Sequence, residues 1–356
     1  MKAPYLALGL AFLLGVPLTA AARTLAPRLG LVDHPGSEPH KKHRQPVPYG
    51  GGPALLLAAT LATVAALAWE RSLILRPHSN PVSEADWWHI GWLAAGAFLL
   101  TATGLWDDMR PLSPRTKLIA ETAVITAVVL AGDVRVTLFI PVPAVGAVIT
   151  VLWLLLVTNA VNLLDNHDGL AGGVAAIAAV FVGILCLNNG EEAAAVVLFA
   201  LAGGLLAFLA FNFPPASIYL GDAGSLPVGF LLAGMCVLPA FYRAQDGEAL
   251  PVAVLAPVFV LAVPLFDTLR VMALRAAAGK PLFQSDRRHF SHRLAGLGFR
   301  PREVAGIHYL LALLTGGSAV LLPRVEWQGA CLLLAQLVGT LTLVVILERG
   351  PGGRDG

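Results

Sequence analysis

Five short stretches hold most of the side chains able to do chemistry. They are VDHPGSEPHKKHRQPVPYGGG (32–52), GLWDDMR (104–110), NAVNLLDNHDGLAGG (159–173), FNFPPASIYLGDAGS (211–225) and SDRRHFSHRL (285–294). Asp107 and Asp108 are adjacent carboxylates, Asp165 and Asp168 lie in the third stretch, and Asp222 lies in GDAGS. Hard oxygen ligands in excess, with few thiols or imidazoles nearby, suit Mg²⁺, with Mn²⁺ as the alternative, rather than Zn²⁺. Lys41, Lys117, Arg287 and Arg288 add cations, and His43, His289 and His292 add imidazoles. Carboxylates that hold a metal, beside fixed cations, are what pyrophosphate chemistry requires. The metal neutralises phosphate oxygens, and the cations stabilise charge developing on a leaving group. Glycines at 50–52, 169, 172, 173, 221 and 224 allow close approach of backbone to a ligand. Taken singly, each piece has a plainer reading. A DD pair can cap or solvate a helix end, Asn159 and Asn162 can bond between helices, and Lys41 with Lys42 can be a topogenic patch.

The elements that must position these groups are membrane helices. The 356 residues are 57% hydrophobic and 13% charged, with a mean hydropathy of +0.74. Soluble domains carry roughly 25% charged residues. Apolar runs near 4–22, 50–69, 87–106, 117–132, 138–157, 171–187, 193–213, 225–242, 250–272, 303–322 and 328–348 predict about eleven spans, since a span needs roughly 20 apolar residues. Backbone amides in lipid have no water to bond, so these runs must be helical. The expected fold is an all-α polytopic bundle, one integral-membrane domain over 1–348, with a disordered tail at 349–356. Cys186, Cys236 and Cys331 sit apart in apolar runs and read as small buried hydrophobes. The net charge of +2 and the lack of a basic block give no support to nucleic-acid binding.

Alternating the loops places eighteen of the Lys and Arg residues on one side and six on the other. The rich side is then cytoplasmic, which puts the N-terminus outside and the C-terminus inside. The N-terminal run could be a signal peptide, but Arg23 and Arg28 follow it, which favours an uncleaved span. All five polar stretches fall on the cytoplasmic side, while the outer loops are short and plain. That segregation predicts one site assembled from five loops. A transporter would place ionisable groups along the spans, where Asp267 and Arg270 are the main examples. A passive scaffold gives no reason for the five stretches to coexist.

LVDHP with KKHRQPVPYGGG, GLWDD, NAVNLLDNHDGL, FNFPPASIYLGDAGS and DRRHFSHRL occur in this order from about residue 31 to 300. In that set the chain resembles the polyprenyl-phosphate N-acetylhexosamine-1-phosphate transferases, relatives of the phospho-MurNAc-pentapeptide transferase. The resemblance implies transfer of a sugar 1-phosphate from a UDP-N-acetylamino sugar to undecaprenyl phosphate, releasing UMP. It implies Mg²⁺ as cofactor, a site on the cytoplasmic face of the bacterial inner membrane, and allows a homodimer. By the same resemblance Asp107 and Asp108 match the family's DD pair, with Asp107 as base or contact for the lipid phosphate. Asp222 and Asn162, with Asp108, would hold the metal, and Lys117 would touch phosphate. Asp165 and Asp168 would lie near the uridine and the metal, Asn212 and Tyr219 would line the nucleotide side, and Asn159 would be a further substrate-binding residue. His289 and His292 would belong to the catalytic set and, with Arg287 and Arg288, to a loop that contacts sugar and pyrophosphate; Lys41 and His43 would be further substrate-binding residues. Two departures bear on the donor. Ser291 stands where the family often has an imidazole, and Asn166-His167 follow Asp165 where glycine is usual. GlcNAc is the expected sugar, with GalNAc or a diamino sugar as alternatives.

Overall fold

The computed structural model describes residues 3–33, 46–73, 84–136, 142–238, 251–279 and 288–348. They form helices α1 (Ala3–Leu25), α2 (Gly51–Leu73), α3 (Glu84–Met109), α4 (Pro114–Ala131), α5 (Pro143–Leu164), α6 (Leu170–Asn188), α7 (Glu192–Asn212), α8 (Asp222–Met235), α9 (Ala256–Val260), α10 (Ala262–Ala277), α11 (Phe290–Gly296), α12 (Pro301–Leu321) and α13 (Trp327–Glu348). A two-residue antiparallel ribbon, β1 (Val32–Asp33) with β2 (Val47–Pro48), pairs Val32 with Pro48 and Asp33 with Val47. The chain is thus a multi-pass, all-α membrane protein.

Among the described residues, eight helices are long and apolar enough to cross a membrane, or nine if a bent pair counts as one span. The sequence expectation was about eleven. The bent pair is Val252–Val260 with Ala262–Ala277, turned by 80°. Its cause is local: in a helix running through, the Pro264 ring would meet the carbonyl of Val260, and α9 ends at that residue. Two further runs fall short for different reasons. α4 carries Arg115, Lys117 and Glu121 within its 18 residues, and α8 has only 14 residues, about 21 Å of helix against a hydrocarbon core of about 30 Å.

α8 is buried on every side from Ala223 to Met235. A helix apolar all round belongs in a core, and here that core is the middle of the bundle. α3 and α5 pack most extensively against it; α6 and α7 are the most enclosed long helices, whereas α13 lies at the rim with only 11% of its apolar window buried. Cys186 and Cys236 are buried as expected, but Cys331 is exposed on α13. Close packing around α8 relies on glycine. A Cβ on Gly104 of α3 would lie 2.3 Å from the Asp222 carbonyl group, and one on Gly52 of α2 would lie 2.3 Å from Gly224 Cα. Backbone touches backbone at both points, which is the usual route to tight helix contact in membranes. These contacts bring the first turn of α8 against the ends of α2 and α3.

Candidate functional site

The centre of the site is the Lys117 ammonium. α4 presents it one turn inside a well-defined start, where Ser113 accepts from Thr116 N at 3.2 Å and Pro114 occupies the first position. Three oxygens from three other helices converge on its Nζ. Asp107 Oδ2 of α3 lies at 3.3 Å, Asn162 Oδ1 of α5 at 3.2 Å, and Asp222 Oδ2 of α8 is in hydrogen-bond contact. Asn162 also donates to Asp222 Oδ1 at 2.5 Å and to Ser225 Oγ at 2.8 Å. Asp107 Oδ1 accepts from Leu112 N at 2.6 Å, which pins the turn between α3 and α4.

Asp108 has a different task. Its Oδ1 accepts from Asp222 N at 2.9 Å and its Oδ2 from Ala223 N at 3.1 Å. It caps α8 from another helix, and its negative charge meets the positive end of α8. Gly221 has φ of 70°, and a Cβ there would lie 2.6 Å from Asp108 Oδ2, so glycine is required for both conformation and space. Asp165 follows α5 in the loop before α6. Burial first, then the charges of Asp222 and Asp108, push its carboxyl up to about 8.

The structure joins all five polar stretches. Tyr219 N donates to Pro48 O at 2.9 Å, while Gly51 N and Gly52 N donate to Tyr219 O and Leu220 O at 3.1 and 3.2 Å. Tyr49 and Tyr219 bring their rings to 6.0 Å, and burial raises both phenols. Ala216 N donates to Asp168 Oδ2 at 2.9 Å. Ser291 Oγ donates to Asn166 Oδ1 at 2.7 Å, and the His167 and His292 rings lie 4.6 Å apart. The two departures from the family letters, Ser291 and Asn166-His167, are therefore one contact and not two scattered changes.

Not every predicted site residue presents itself to a ligand. Asn212 is only 3% exposed. Its Oδ1 accepts from Gly169 N and its Nδ2 donates to Ile218 O, both at 2.9 Å, so it braces two loops as a buried amide must. Asn159 Nδ2 donates to Glu121 Oε2 at 2.7 Å and to Leu155 O at 3.0 Å. Arg288 is tied to α10, donating to Leu274 O at 3.4 Å while its own carbonyl accepts from Arg270 at 3.3 Å. Lys41, His43 and Arg287 lie outside the described residues.

Two residues were not singled out from sequence as site members. Asp267 is buried and holds the last loop: Oδ2 meets His289 Nδ1 at 2.7 Å and Oδ1 accepts from Phe290 N at 2.8 Å. Its signal was a lone carboxylate in a span. Glu121, buried beneath Lys117, had a weaker one, a charge four residues after a site lysine.

No three His, Cys, Asp or Glu side chains stand together as a metal cage among the described residues. The donor set nonetheless fits a hard cation. Two carboxylates and an amide oxygen already converge on one positive charge, and Mg²⁺ is held by one or two carboxylates plus substrate phosphates rather than by a full protein cage. Asp107, Asp222 and Asn162 are the residues that would hold it.

Fold and site together define a polytopic α-helical membrane protein with one lysine-bridged acidic cluster where its loops meet. Residues 90–240 match the glycosyl transferase family 4 model. A decaprenyl-phosphate N-acetylglucosaminephosphotransferase of Mycobacterium tuberculosis is 32% identical over 366 aligned positions, covering 95% of this chain and 87% of the relative. An undecaprenyl-phosphate alpha-N-acetylglucosaminyl 1-phosphate transferase of Yersinia pestis is 26% identical over 332 positions, covering 89% and 84%. The chain belongs to the polyprenyl-phosphate N-acetylhexosamine-1-phosphate transferase family.

Proposed function

We propose that the protein transfers GlcNAc 1-phosphate from UDP-GlcNAc to undecaprenyl phosphate on the cytoplasmic face of a bacterial inner membrane. An oxygen of the acceptor phosphate bonds to the sugar-side phosphorus of the donor. The bridging P–O bond breaks, and UMP leaves with its electron pair. The product is a lipid diphosphate sugar, the first lipid-linked step of an envelope glycan. The observation that carries this reading is the convergence of Asp107, Asp222 and Asn162 on Lys117, in a chain whose relatives are named for this transfer.

Phosphoryl transfer asks for positioning and charge neutralisation more than covalent help. Asp107 sits on the last turn of α3, where it can orient or deprotonate the acceptor phosphate. Lys117 supplies a positive charge near the phosphate oxygens. A Mg²⁺ ion bound at Asp107, Asp222 and Asn162 would neutralise pyrophosphate oxygens. Asp108 keeps Asp222 in place through the backbone of α8. Tyr49 and Tyr219 offer an aromatic wall for a base, and His289 and His292 bring imidazoles toward the sugar side. The test uses membranes carrying the protein, radiolabelled UDP-GlcNAc, and undecaprenyl or decaprenyl phosphate. The expected result is a Mg²⁺-dependent lipid product with stoichiometric UMP. Absence of product across a panel of UDP-amino sugars, with folded protein, would refute the proposal.

A further inference from the structure

Glu121 lies one helical turn after Lys117 on α4, at 0% exposure. Asn159 holds one of its oxygens, Oε2. The other, Oε1, is buried and has no hydrogen-bond partner among the described residues. A buried carboxylate oxygen left without a donor is costly, and such exceptions call for an explanation. Residues four apart on a helix are surface neighbours, with about 5–6 Å between their Cβ atoms. The lysine stem is flexible over four carbons, so the ammonium can reach both the three-oxygen cluster and Glu121.

The three oxygens around Lys117 can serve one cation at a time. An ammonium displaced into a helix-packed wall without a counter-charge would be strongly unfavourable. We infer that Glu121 Oε1 is the second seat of the Lys117 ammonium, taken when a divalent cation enters among Asp107, Asp222 and Asn162. Lys117 is then a placeholder that keeps the carboxylates from repelling one another in the metal-free protein. Glu121 makes its withdrawal favourable, and Asn159 orients Glu121 by holding the oxygen that is not used. Glu121 is thus a positioning residue acting through Lys117. The inference rests on the cation reading above and goes beyond it by naming where the displaced charge goes.

The experiment is a Mn²⁺ titration of the full-length, detergent-solubilised protein, following free Mn²⁺ by electron paramagnetic resonance. Four proteins are compared: wild type, Glu121→Gln, Lys117→Gln and the double variant. Glu121→Gln keeps an acceptor for Asn159 but removes the second seat, and should raise the Mn²⁺ Kd on the order of tenfold. With Lys117→Gln already present, the same change should alter Kd by about twofold or less. An equal loss in both backgrounds would mean a plain charge effect and overturns the inference, as does an unchanged Kd in Glu121→Gln. Wild type that binds no Mn²⁺ would refute the cation reading itself, a distinct outcome. If Glu121→Gln does not fold, Glu121→Asp replaces it. The shortened side chain should weaken binding with the same dependence on Lys117, and an unchanged Kd again counts against the second seat.

Discussion

Asp108 and Asp222 are joined through backbone: Asp108 Oδ1 accepts from Asp222 N at 2.9 Å, and Oδ2 takes the next amide, Ala223 N, at 3.1 Å. The two members of the DD pair therefore divide their work. Asp107 faces the lysine and Asp108 holds the helix that delivers Asp222. Asp108→Ala should leave two α8 amides unpaired, at a stability cost of about 1–3 kcal/mol. Asp107→Ala should impair turnover while lowering the thermal midpoint less. The check is the unfolding temperature of both purified variants beside their rates. Equal midpoints for the two variants would show that Asp108 is not a structural cap.

The glycine contacts make a sharper steric prediction. Gly104→Ala places a methyl about where the Asp222 carbonyl already stands, 2.3 Å away, and backbone on both sides limits relief. The expected cost is about 1–3 kcal/mol, with loss of activity because Asp222 shifts. Gly91→Ala on the same helix has nothing within 4 Å of the added methyl and should be neutral in yield, midpoint and rate. Similar behaviour of the two variants would mean that α3 and α8 do not pack as described.

Much of this was legible in the residues. Five polar stretches between apolar runs foretold one site at the loop end of a helical bundle, because ionisable groups avoid lipid unless a function holds them there. Hydropathy gave the helices but could not tell a span from a short helix buried in protein. α8 looks as apolar as its neighbours, and only its wrapping by other helices marks it as core. Asn212 and Asp108 show the other limit. A motif can say that a polar residue belongs to the site, while its partners decide whether it meets ligand or braces backbone. Asp267 and His289, 22 positions apart, could not be paired from sequence because hydropathy does not report how α10 meets the start of α11.

That pair yields its own prediction. Asp267 meets His289 Nδ1 at 2.7 Å, so the imidazole is held with its other nitrogen fixed in direction. Asp267→Asn should lower kcat by roughly tenfold to a hundredfold, the range for removing a carboxylate that orients a metal-bound imidazole, with a smaller change in KM. In a His289→Ala background the same change should add little. Additive losses would place Asp267 outside the catalytic work of His289.

The last prediction concerns pH. An ordinary aspartate titrates near 3.9, whereas burial and the charges of Asp222 and Asp108 push Asp165 up to about 8. The folded protein then holds this proton more tightly than the unfolded chain. The stabilising contribution is full below the unfolded value, about 3.9, and is lost as pH rises through about 8. A divalent cation beside Asp222 has the opposite pull, since it favours the ionised carboxylate and competes with the proton. Without added metal, the thermal midpoint of wild type should fall between pH 6 and 9 more steeply than that of Asp165→Asn. Added Mg²⁺ should flatten the wild-type slope and leave the variant nearly unchanged. Its apparent affinity should strengthen with rising pH in wild type and vary less in Asp165→Asn. If both proteins show the same slope in both conditions, the proton that governs the site is not on Asp165.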